Sequence, residues 1–429
     1  MVCPPVPSGI AVSDSTPLPY CCPGETQGIT RAVHLGRLAS FYPACRHCQH
    51  AGDTRTLSPR HVRQLESAQR RARPASLFHE EGIAGAFLNE LGPAEARRAA
   101  TALAVLLARD AQPDAGLEVM LGCDGRPIAA EIGAALSDAL RQAGCGVVDT
   151  GFTTAGAMAD AVGRLHSGGG VFIGRGVVGG RGDAGPQQIN LSFFGPRAVP
   201  LSAGGWLDEL QRLWHEGAAR PSRRSGAIRR HRAEAALIAD LAPHFHALRP
   251  LRLVLDTTSL SIKQQLARLA QRVSLEIISA DTPNGSAAAE VMQQVCQVGA
   301  HFGLWIDGDG VQCRLYDEHG QAVPAERLAL LVLRFYQAQS PDRVLVIERP
   351  AFQTARAALG REARLHVAPS TREGVARAML ASDAVAGGGA SGRIWFACPA
   401  PVACGLRTLA VLLTVLSRSD RPVSEVCYE

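Results

Sequence analysis

Residues Leu117–Arg126 read LEVMLGCDGR, a short apolar run that ends in an Asp-Gly-Arg turn. An Ala- and Leu-rich stretch with helical spacing precedes it at Pro93–Arg109, and a second one follows at Ile128–Ala143. The next apolar run is Cys145–Gly151. Short strands that alternate with helices of about 10–15 residues favour a mainly parallel sheet covered by helices on both faces.

The same alternation continues through the rest of the chain, and an Arg-rich joint at Arg220–Arg232 separates the first cycle from the second. The further predicted strands are Gly169–Gly174, Leu251–Asp256, Ser274–Ser279, Phe302–Asp307 and Arg343–Glu348. The further predicted helices are Ala155–Leu165, Ile262–Gln271, Ala287–Val298, Ala325–Gln339, Thr371–Ala381 and Gly405–Ser417. We therefore predict an α/β protein with three consecutive α/β/α domains and mixed, mainly parallel sheets. The expected domains are 81–218, 219–314 and 315–429, after a Cys- and Arg-rich extension at 1–80.

Composition excludes several classes of function. The 429 residues are 46% hydrophobic and 19% charged, and the net charge of +5 is spread along the chain, so neither disorder nor general nucleic-acid binding is expected. No run of about 18 apolar residues predicts a membrane span, and the first residues lack the pattern of a secretion signal, so we expect a cytoplasmic protein. Because Lys263 is the single lysine, a Gly-Lys phosphate loop is excluded.

The extension carries a local cysteine cluster. Two thiolates in Cys45-x-x-Cys48 spacing can bind one side of a tetrahedral zinc ion. The candidate zinc ligands are Cys22, Cys45, Cys48 and His50, with Cys21 and His47 as alternatives. Reduced thiols without a metal are the competing interpretation. Redox chemistry is a third interpretation, although no βαβ pattern flanks the motif.

Four loops follow predicted strands, where open parallel sheets bind ligands. The candidate residues on them are Asp124 and Arg126, then Arg175 and Arg181 in a Gly-rich loop, then Asp307 and Asp309, then Ser391 and Arg393. The two carboxylates of Asp307-Gly-Asp309-Gly can face one Mg²⁺ ion, and the Gly-rich loop can present N–H groups and arginines to a phosphate. A plain Asp/Gly turn and a flexible turn are the alternatives.

The order of motifs resembles the α-D-phosphohexomutases, the phosphoglucomutase/phosphomannomutase family. The matching segments are Gly82–Gly85, Leu121–Arg126, Asp149–Gly151, Gly170–Ile173, Gln188–Gly195, Gly303–Gly310, Tyr316–Gly320, Thr371–Gly374, Gly387–Gly392 and Arg421–Val426. The resemblance implies three similar α/β domains and a fourth domain. It also implies an intramolecular phosphotransferase, an isomerase of carbohydrate metabolism that uses Mg²⁺ to move a phosphate between the ends of a hexose.

The sequence departs from this family at four places. The phosphoserine loop of the family reads T-A-S-H-N-P, and Gly176 stands where the serine is expected. In the metal loop, Val311 replaces the third Asp and Gln312 replaces the Arg. In the sugar-reading loop G-E-x-S-G-H, Gly389 replaces the Glu and Arg393 the His. The chain ends at Glu429, about where the fourth domain would begin, so we expect that domain to be absent.

These departures predict a degenerate relative that binds a hexose phosphate, a related anion or a protein partner without mutase activity, and for which neither nucleic acid nor membrane is expected as a partner. Its anion contacts would include Arg175, Arg181 and Arg393, and its Mg²⁺ site at Asp307 and Asp309 would be weak. The alternative is an active mutase with a rebuilt site. It would use Ser192 or Asp183 as phosphate acceptor, or a bisphosphorylated cofactor directly. A third interpretation is that the Cys-rich extension docks another protein.

Overall fold

In the computed structural model the chain divides into two compact units, Met1–Ser76 and Leu77–Glu429. The structure describes residues 20–23, 26–40, 42, 45, 48–54, 57–60, 62, 77–109, 116–178, 182–183, 185, 187–217, 221–280 and 288–428. Arg181 and His47 lie outside these described residues.

The first unit contains one described helix and a two-stranded antiparallel ribbon. Strands β1 (Tyr20–Cys21) and β2 (Gly28–Ile29) pair, and helix α1 (Arg31–Ala39) follows directly. The ring of Tyr20 stacks on that of His34 with 4.2 Å between centroids. Cys22, Cys45 and Cys48 are all buried, so the thiols form part of the interior of this small unit.

The predicted zinc site at Cys22, Cys45, Cys48 and His50 is not supported. Among the residues that the structure describes, no group of three or more His, Cys, Asp or Glu side chains is placed to hold a metal ion. The Arg37 guanidinium donates a hydrogen bond to Cys22 Sγ at 3.0 Å, so a cation already lies beside this thiol. Burial raises the pKa of the Cys45 thiol, which favours its neutral form.

The second unit is built on three mixed sheets. The first has the order β11-β6-β5-β7-β10-β4-β3, in which β11, β6, β5 and β7 are parallel and β10, β4 and β3 are added antiparallel. Its strands are β3 (Phe78–His79), β4 (Gly82–Ala86), β5 (Glu118–Cys123), β6 (Gly146–Phe152), β7 (Gly169–Gly174), β10 (Gln188–Phe194) and β11 (Ile228–Arg230). A separate ribbon pairs β8 (Val177–Val178) with β9 (Gly182–Asp183).

The second and third sheets repeat one plan. Each has three parallel strands with the first in the middle, then two antiparallel strands at one side, in the orders β13-β12-β14-β15-β16 and β18-β17-β19-β20-β21. The strands of the second sheet are β12 (Leu251–Asp256), β13 (Leu275–Ser279), β14 (Phe302–Ile306), β15 (Cys313–Tyr316) and β16 (Ala322–Val323). Those of the third are β17 (Leu345–Glu348), β18 (Leu365–Ala368), β19 (Ala386–Gly388), β20 (Ile394–Ala397) and β21 (Pro401–Ala403).

Helices cover these sheets and begin at identifiable caps. Those of the second unit are α2 (Pro93–Ala108), α3 (Pro127–Gln142), α4 (Ala155–Arg164), α5 (Trp206–Glu216), α6 (Ala233–Leu241), α7 (Leu260–Ala270), α8 (Ala288–Val298), α9 (Ala325–Gln339), α10 (Phe352–Leu359), α11 (Arg372–Ser382), α12 (Gly405–Leu416) and α13 (Val423–Val426). The side chains of Thr154, Ser259 and Thr371 accept N–H bonds at the starts of α4, α7 and α11. The expected α/β class with mixed sheets is confirmed.

Candidate functional site

A cavity of about 650 Å³ opens among the loops of the three sheets in the second unit. It is lined by His79, Glu80, Glu81, Ala84, Ala155, Arg175, Gly176, Gln188, Asn190, Ser192, Asp307, Asp309, Val311, Gln312, Arg372, Ser391 and Arg393. Arg175, Asp307 and Ser391 follow the carboxyl ends of β7, β14 and β19, where the sequence placed them. The three candidate loops therefore meet at one cavity.

The Gly-rich loop is held against Asp309. The N–H of Arg175 donates to Asp309 Oδ1 at 2.9 Å, and the N–H of Gly176 donates to Oδ2 at 3.2 Å. A Cβ atom at Gly174 would lie 2.1 Å from Asp309 Oδ1, so only glycine allows this approach. The carboxylate that was expected to bind a metal thus binds the backbone where the family has its phosphoserine.

The Asp307 carboxylate is engaged in the same way. Its Oδ1 atom accepts the N–H of Val311 at 2.6 Å and that of Gln312 at 2.9 Å, and its side chain is buried. Three carboxylate oxygens of Asp307 and Asp309 therefore bind backbone N–H groups, and the third ligand position of the family is the apolar Val311. Mg²⁺ needs a near-octahedral set of oxygen ligands. Asp307 and Asp309 supply two carboxylates toward such a set.

Two buried arginines face the cavity from the third sheet. Arg372 begins α11 and Arg393 lies in the loop before β20; they are 6% and 9% exposed. The Nη2 atom of Arg393 lies 2.6 Å from Glu81 Oε2, and Arg372 Nη1 lies 4.0 Å from the same oxygen. Burial, and then the charge of Arg393, lower the pKa of Arg372. One carboxylate from the β3–β4 turn thus lies beside two guanidinium groups.

A polar row on β10 also lines the cavity. Asn190 Nδ2 donates to Ser192 Oγ at 3.0 Å, and Arg372 Nη1 donates to the same oxygen at 3.4 Å. The His79 ring lies 2.9 Å from Asn190 Oδ1 through Nε2. Because side chains alternate along a strand, Asn190 and Ser192 share one face of β10.

A second carboxylate stands beside the position from which the family's sugar-reading Glu is missing. A Cβ atom at Gly389 would lie 2.5 Å from Glu348 Cβ. Glu348 is buried at the end of β17, and it accepts the N–H of Ser391 at 2.9 Å as well as a hydrogen bond from its hydroxyl. Burial raises the pKa of this carboxyl. Glu348 therefore fixes Ser391 and excludes a side chain at 389.

Other candidate residues lie outside the cavity lining. Asp124 Oδ2 binds Arg126 Nε at 2.6 Å, and the same guanidinium donates to the carbonyls of Gln188 and Gly174, both at 2.8 Å. Arg126 thereby joins the end of β7 to the start of β10. The side chain of Asp183 is outside the described part of the structure, as is Arg181.

Sequence reasoning did not single out Glu81, Arg372, Asn190 or Glu348 as site residues. Three of them lie within or beside motifs that carried the resemblance: Glu81 next to Gly82–Gly85, Asn190 within Gln188–Gly195 and Arg372 within Thr371–Gly374. A charged residue beside a matched motif was the available signal. Glu348 had no signal of this kind, because the predicted strand simply ends there.

Comparisons with known proteins agree on one family. Residues 75–174 match the family described as "Phosphoglucomutase/phosphomannomutase, alpha/beta/alpha domain I". A phosphoglucosamine mutase of Desulforudis audaxviator (strain MP104C) is 26% identical over 386 residues, which span 82% of this chain and 81% of that protein. Residues 75–174 therefore belong to this domain family, and the chain resembles a phosphoglucosamine mutase over most of its length.

Solved phosphohexomutases share the fold of this chain. A phosphoglucomutase/phosphomannomutase family protein from Burkholderia thailandensis superimposes with a TM-score of 0.70 at 20% identity, covering 83% of this chain and 79% of that one. The Aspergillus fumigatus N-acetylphosphoglucosamine mutase, solved with GlcNAc-6P and magnesium, gives 0.52 at 12% identity over 86% and 83%. In the described part of this phosphohexomutase relative, no helix is long and apolar enough to cross a membrane.

Proposed function

We propose that this phosphohexomutase relative binds a hexose phosphate or a related anion in the 650 Å³ cavity and does not transfer the phosphate. The observation that carries the proposal is the contact between Asp309 and the N–H groups of Arg175 and Gly176. Phosphoryl transfer in this family's manner needs a serine and a metal at that point, and here glycine and backbone hydrogen bonds take their place. Positioning and charge stabilisation dominate phosphoryl transfer, so their loss removes most of the catalysis.

The ligand class follows from the relatives and from the lining of the cavity. The curated relatives are phosphoglucosamine mutases, and the fungal enzyme was solved with an amino-sugar phosphate. Arg175, Arg372 and Arg393 supply charged donors suited to a phosphate, and Ser391 supplies a hydroxyl for the sugar. We therefore propose hexose phosphates, including glucosamine phosphates, as ligands of this chain.

The proposal also covers the domain boundaries, the location of the protein, its metal and its partners. The sheets centred on β5, β12 and β17 mark three domains near the expected 81–218, 219–314 and 315–429, with both inner boundaries later in the chain, because β11 (Ile228–Arg230) belongs to the first sheet and β16 (Ala322–Val323) to the second. The protein is cytoplasmic, and Mg²⁺ binds weakly at Asp307 and Asp309. In this proposal a protein partner is the alternative to a hexose phosphate as the bound molecule.

The test is a pair of measurements on the full chain. A coupled assay follows conversion of glucose, mannose and glucosamine 1-phosphates to the 6-phosphates, with Mg²⁺ and a hexose bisphosphate, against the Asp307→Ala, Asp309→Ala double variant. Calorimetric titration measures binding of the same sugar phosphates. We expect binding, and no turnover above the double variant. Turnover that the double variant abolishes would overturn the proposal.

One observation favours an active enzyme as the second candidate. Ser192 Oγ lies in the cavity between Asn190 and Arg372, so a hydroxyl is present beside a cation that could stabilise a transferred phosphate. Under this alternative, Ser192→Ala abolishes turnover, and a phosphorylated peptide containing Ser192 is recovered after incubation with the bisphosphate. Without turnover in the wild type, this candidate fails.

A further inference from the structure

Arg372 and Arg393 have donor capacity that the protein leaves unused. Each is at least nine-tenths buried and lines the cavity, yet the Nε–H group of each has no hydrogen-bond partner among the described residues. A buried donor without a partner is costly, and an arginine presents its N–H groups in a planar fork that matches an oxyanion. The pair therefore has the chemistry of an anion seat.

Glu81 already supplies one negative charge to this seat. Its Oε2 atom lies 2.6 Å from Arg393 Nη2 and 4.0 Å from Arg372 Nη1. The carboxylate reaches the Nη atoms and leaves both Nε–H groups unbonded. A single carboxylate oxygen thus neutralises the two guanidinium groups only in part, whereas a phosphate has enough acceptor oxygens for both forks.

Other acidic groups in the cavity also oppose an incoming anion. Glu80, Asp307 and Asp309 also line it, so an incoming anion meets acidic groups as well as the arginines. Asp307 and Asp309 are held by backbone N–H groups, whereas Glu81 is 29% exposed and sits on the short turn between β3 and β4. Of these carboxylates, Glu81 is the one that occupies the arginine pair.

We propose that Arg372 and Arg393 form the seat for the anionic group of the ligand, and that Glu81 is a built-in competitor that the ligand displaces. The inference rests on the proposed function, because it assigns the phosphate of the same ligand to a particular pair of side chains. Binding then breaks the ion pairs that join the β3–β4 turn to the loops of the third sheet. The ligand gains two arginine forks and Glu81 returns to water.

The experiment titrates inorganic phosphate and glucose 1-phosphate separately into the wild type, Glu81→Gln, and the matched control Glu80→Gln. Glu80 is the adjacent residue, lines the same cavity and carries the same charge. We expect Glu81→Gln to tighten binding of both probes about tenfold, since one charge-assisted hydrogen bond no longer has to be broken. Glu80→Gln should change affinity much less. Adding Arg393→Gln to Glu81→Gln should abolish the gain.

The outcomes separate this inference from the proposed function. If the wild type binds glucose 1-phosphate and Glu81→Gln binds it equally well, the competitor role is wrong and the function stands. If Glu80→Gln tightens binding as much as Glu81→Gln, the effect is general charge repulsion and the inference is overturned. If no variant binds either probe, both fail. Should Glu81→Gln not fold, Glu81→Asp, which shortens the side chain, must still tighten binding, though by less.

Discussion

Gly176 occupies the position of the family's phosphoserine, and its surroundings disfavour a serine there. Its φ angle is +72°, and a Cβ atom there would lie 3.0 Å from Asn190 Cβ. A residue with a side chain would be strained by the backbone angle and crowded by β10 as well. Replacing glycine with the family's serine therefore does not by itself rebuild the phosphoserine loop.

We predict that Gly176→Ser lowers the free energy of unfolding more than Gly204→Ser does. Gly204 has a similar φ of +77° with nothing within 4 Å of the added atom, so it measures the backbone strain alone. That strain should cost about 1 kcal/mol, and Gly176→Ser should cost more because of the crowding. Urea unfolding of both variants gives the comparison. Equal losses, or a phosphoserine at 176 after incubation with a hexose bisphosphate, would contradict the prediction.

At the scale of elements, Glu348 joins the end of β17 to the loop after β19. Glu348 ends the strand, binds Ser391 in the loop and fills the space beside Gly389. The buried Glu348 thus excludes a side chain at position 389. The sequence displayed the glycine at 389 and gave no signal of the role of Glu348.

We predict that Glu348 makes stability depend on pH. Burial raises its pKa above the ordinary value of 4.5, so the folded state holds the proton more tightly than the unfolded state. The resulting stabilisation is complete below 4.5 and is lost as pH rises through the folded-state pKa. Glu348→Gln removes this component, so its unfolding free energy should fall less than that of the wild type from pH 4.5 upward.

Urea unfolding across a pH series measures the difference between wild type and Glu348→Gln, in which the titration of all other groups cancels. Replacing the exposed Glu362 by Gln is the control and should leave the pH profile of the wild type unchanged. A profile of Glu348→Gln that runs parallel to that of the wild type would show that the carboxyl does not titrate as proposed.

At the scale of the whole second unit, an ion network joins three helices that are distant in the chain, α4, α6 and α12. Arg407 on α12 lies 3.1 Å from Asp240 on α6, and Arg164 on α4 binds both Asp240 and Asp160. Arg407 and Asp160 have side chains only 7% and 4% exposed. Burial raises the pKa of Asp160, with Arg164 opposing that shift.

We predict that Arg407→Met lowers the unfolding free energy by about 2 kcal/mol or more, because it leaves acidic groups in the interior with one cation fewer. Asp240 is 31% exposed, so the loss should be smaller than for a fully buried pair. The control is Arg343→Met, which breaks the surface pair of Arg343 with Asp383 and should cost at most about 0.5 kcal/mol. Thermal and urea unfolding measure the loss of stability in both variants. Equal losses for Arg407→Met and Arg343→Met would contradict the prediction.

The sequence by itself determined many of the strands and helices and the resemblance to a family. Strand Gly169–Gly174 and helix Ala325–Gln339 were predicted to the residue, because hydrophobic periodicity and caps are local properties of the chain. The Gly-rich loop, Asp307 and Ser391 were each predicted to lie at strand ends, but the three strands belong to three different sheets, so the sequence did not predict that they line one cavity.

Only the tertiary structure decided what those residues do there. Asp309 binds the N–H groups of a loop more than 130 positions away, and Glu81 pairs with Arg393 across 312 positions. The antiparallel strands β10, β15 and β20 were likewise not predicted individually. Periodicity cannot reveal such contacts, because the partner of a buried charge is set by packing between segments that are distant in the chain.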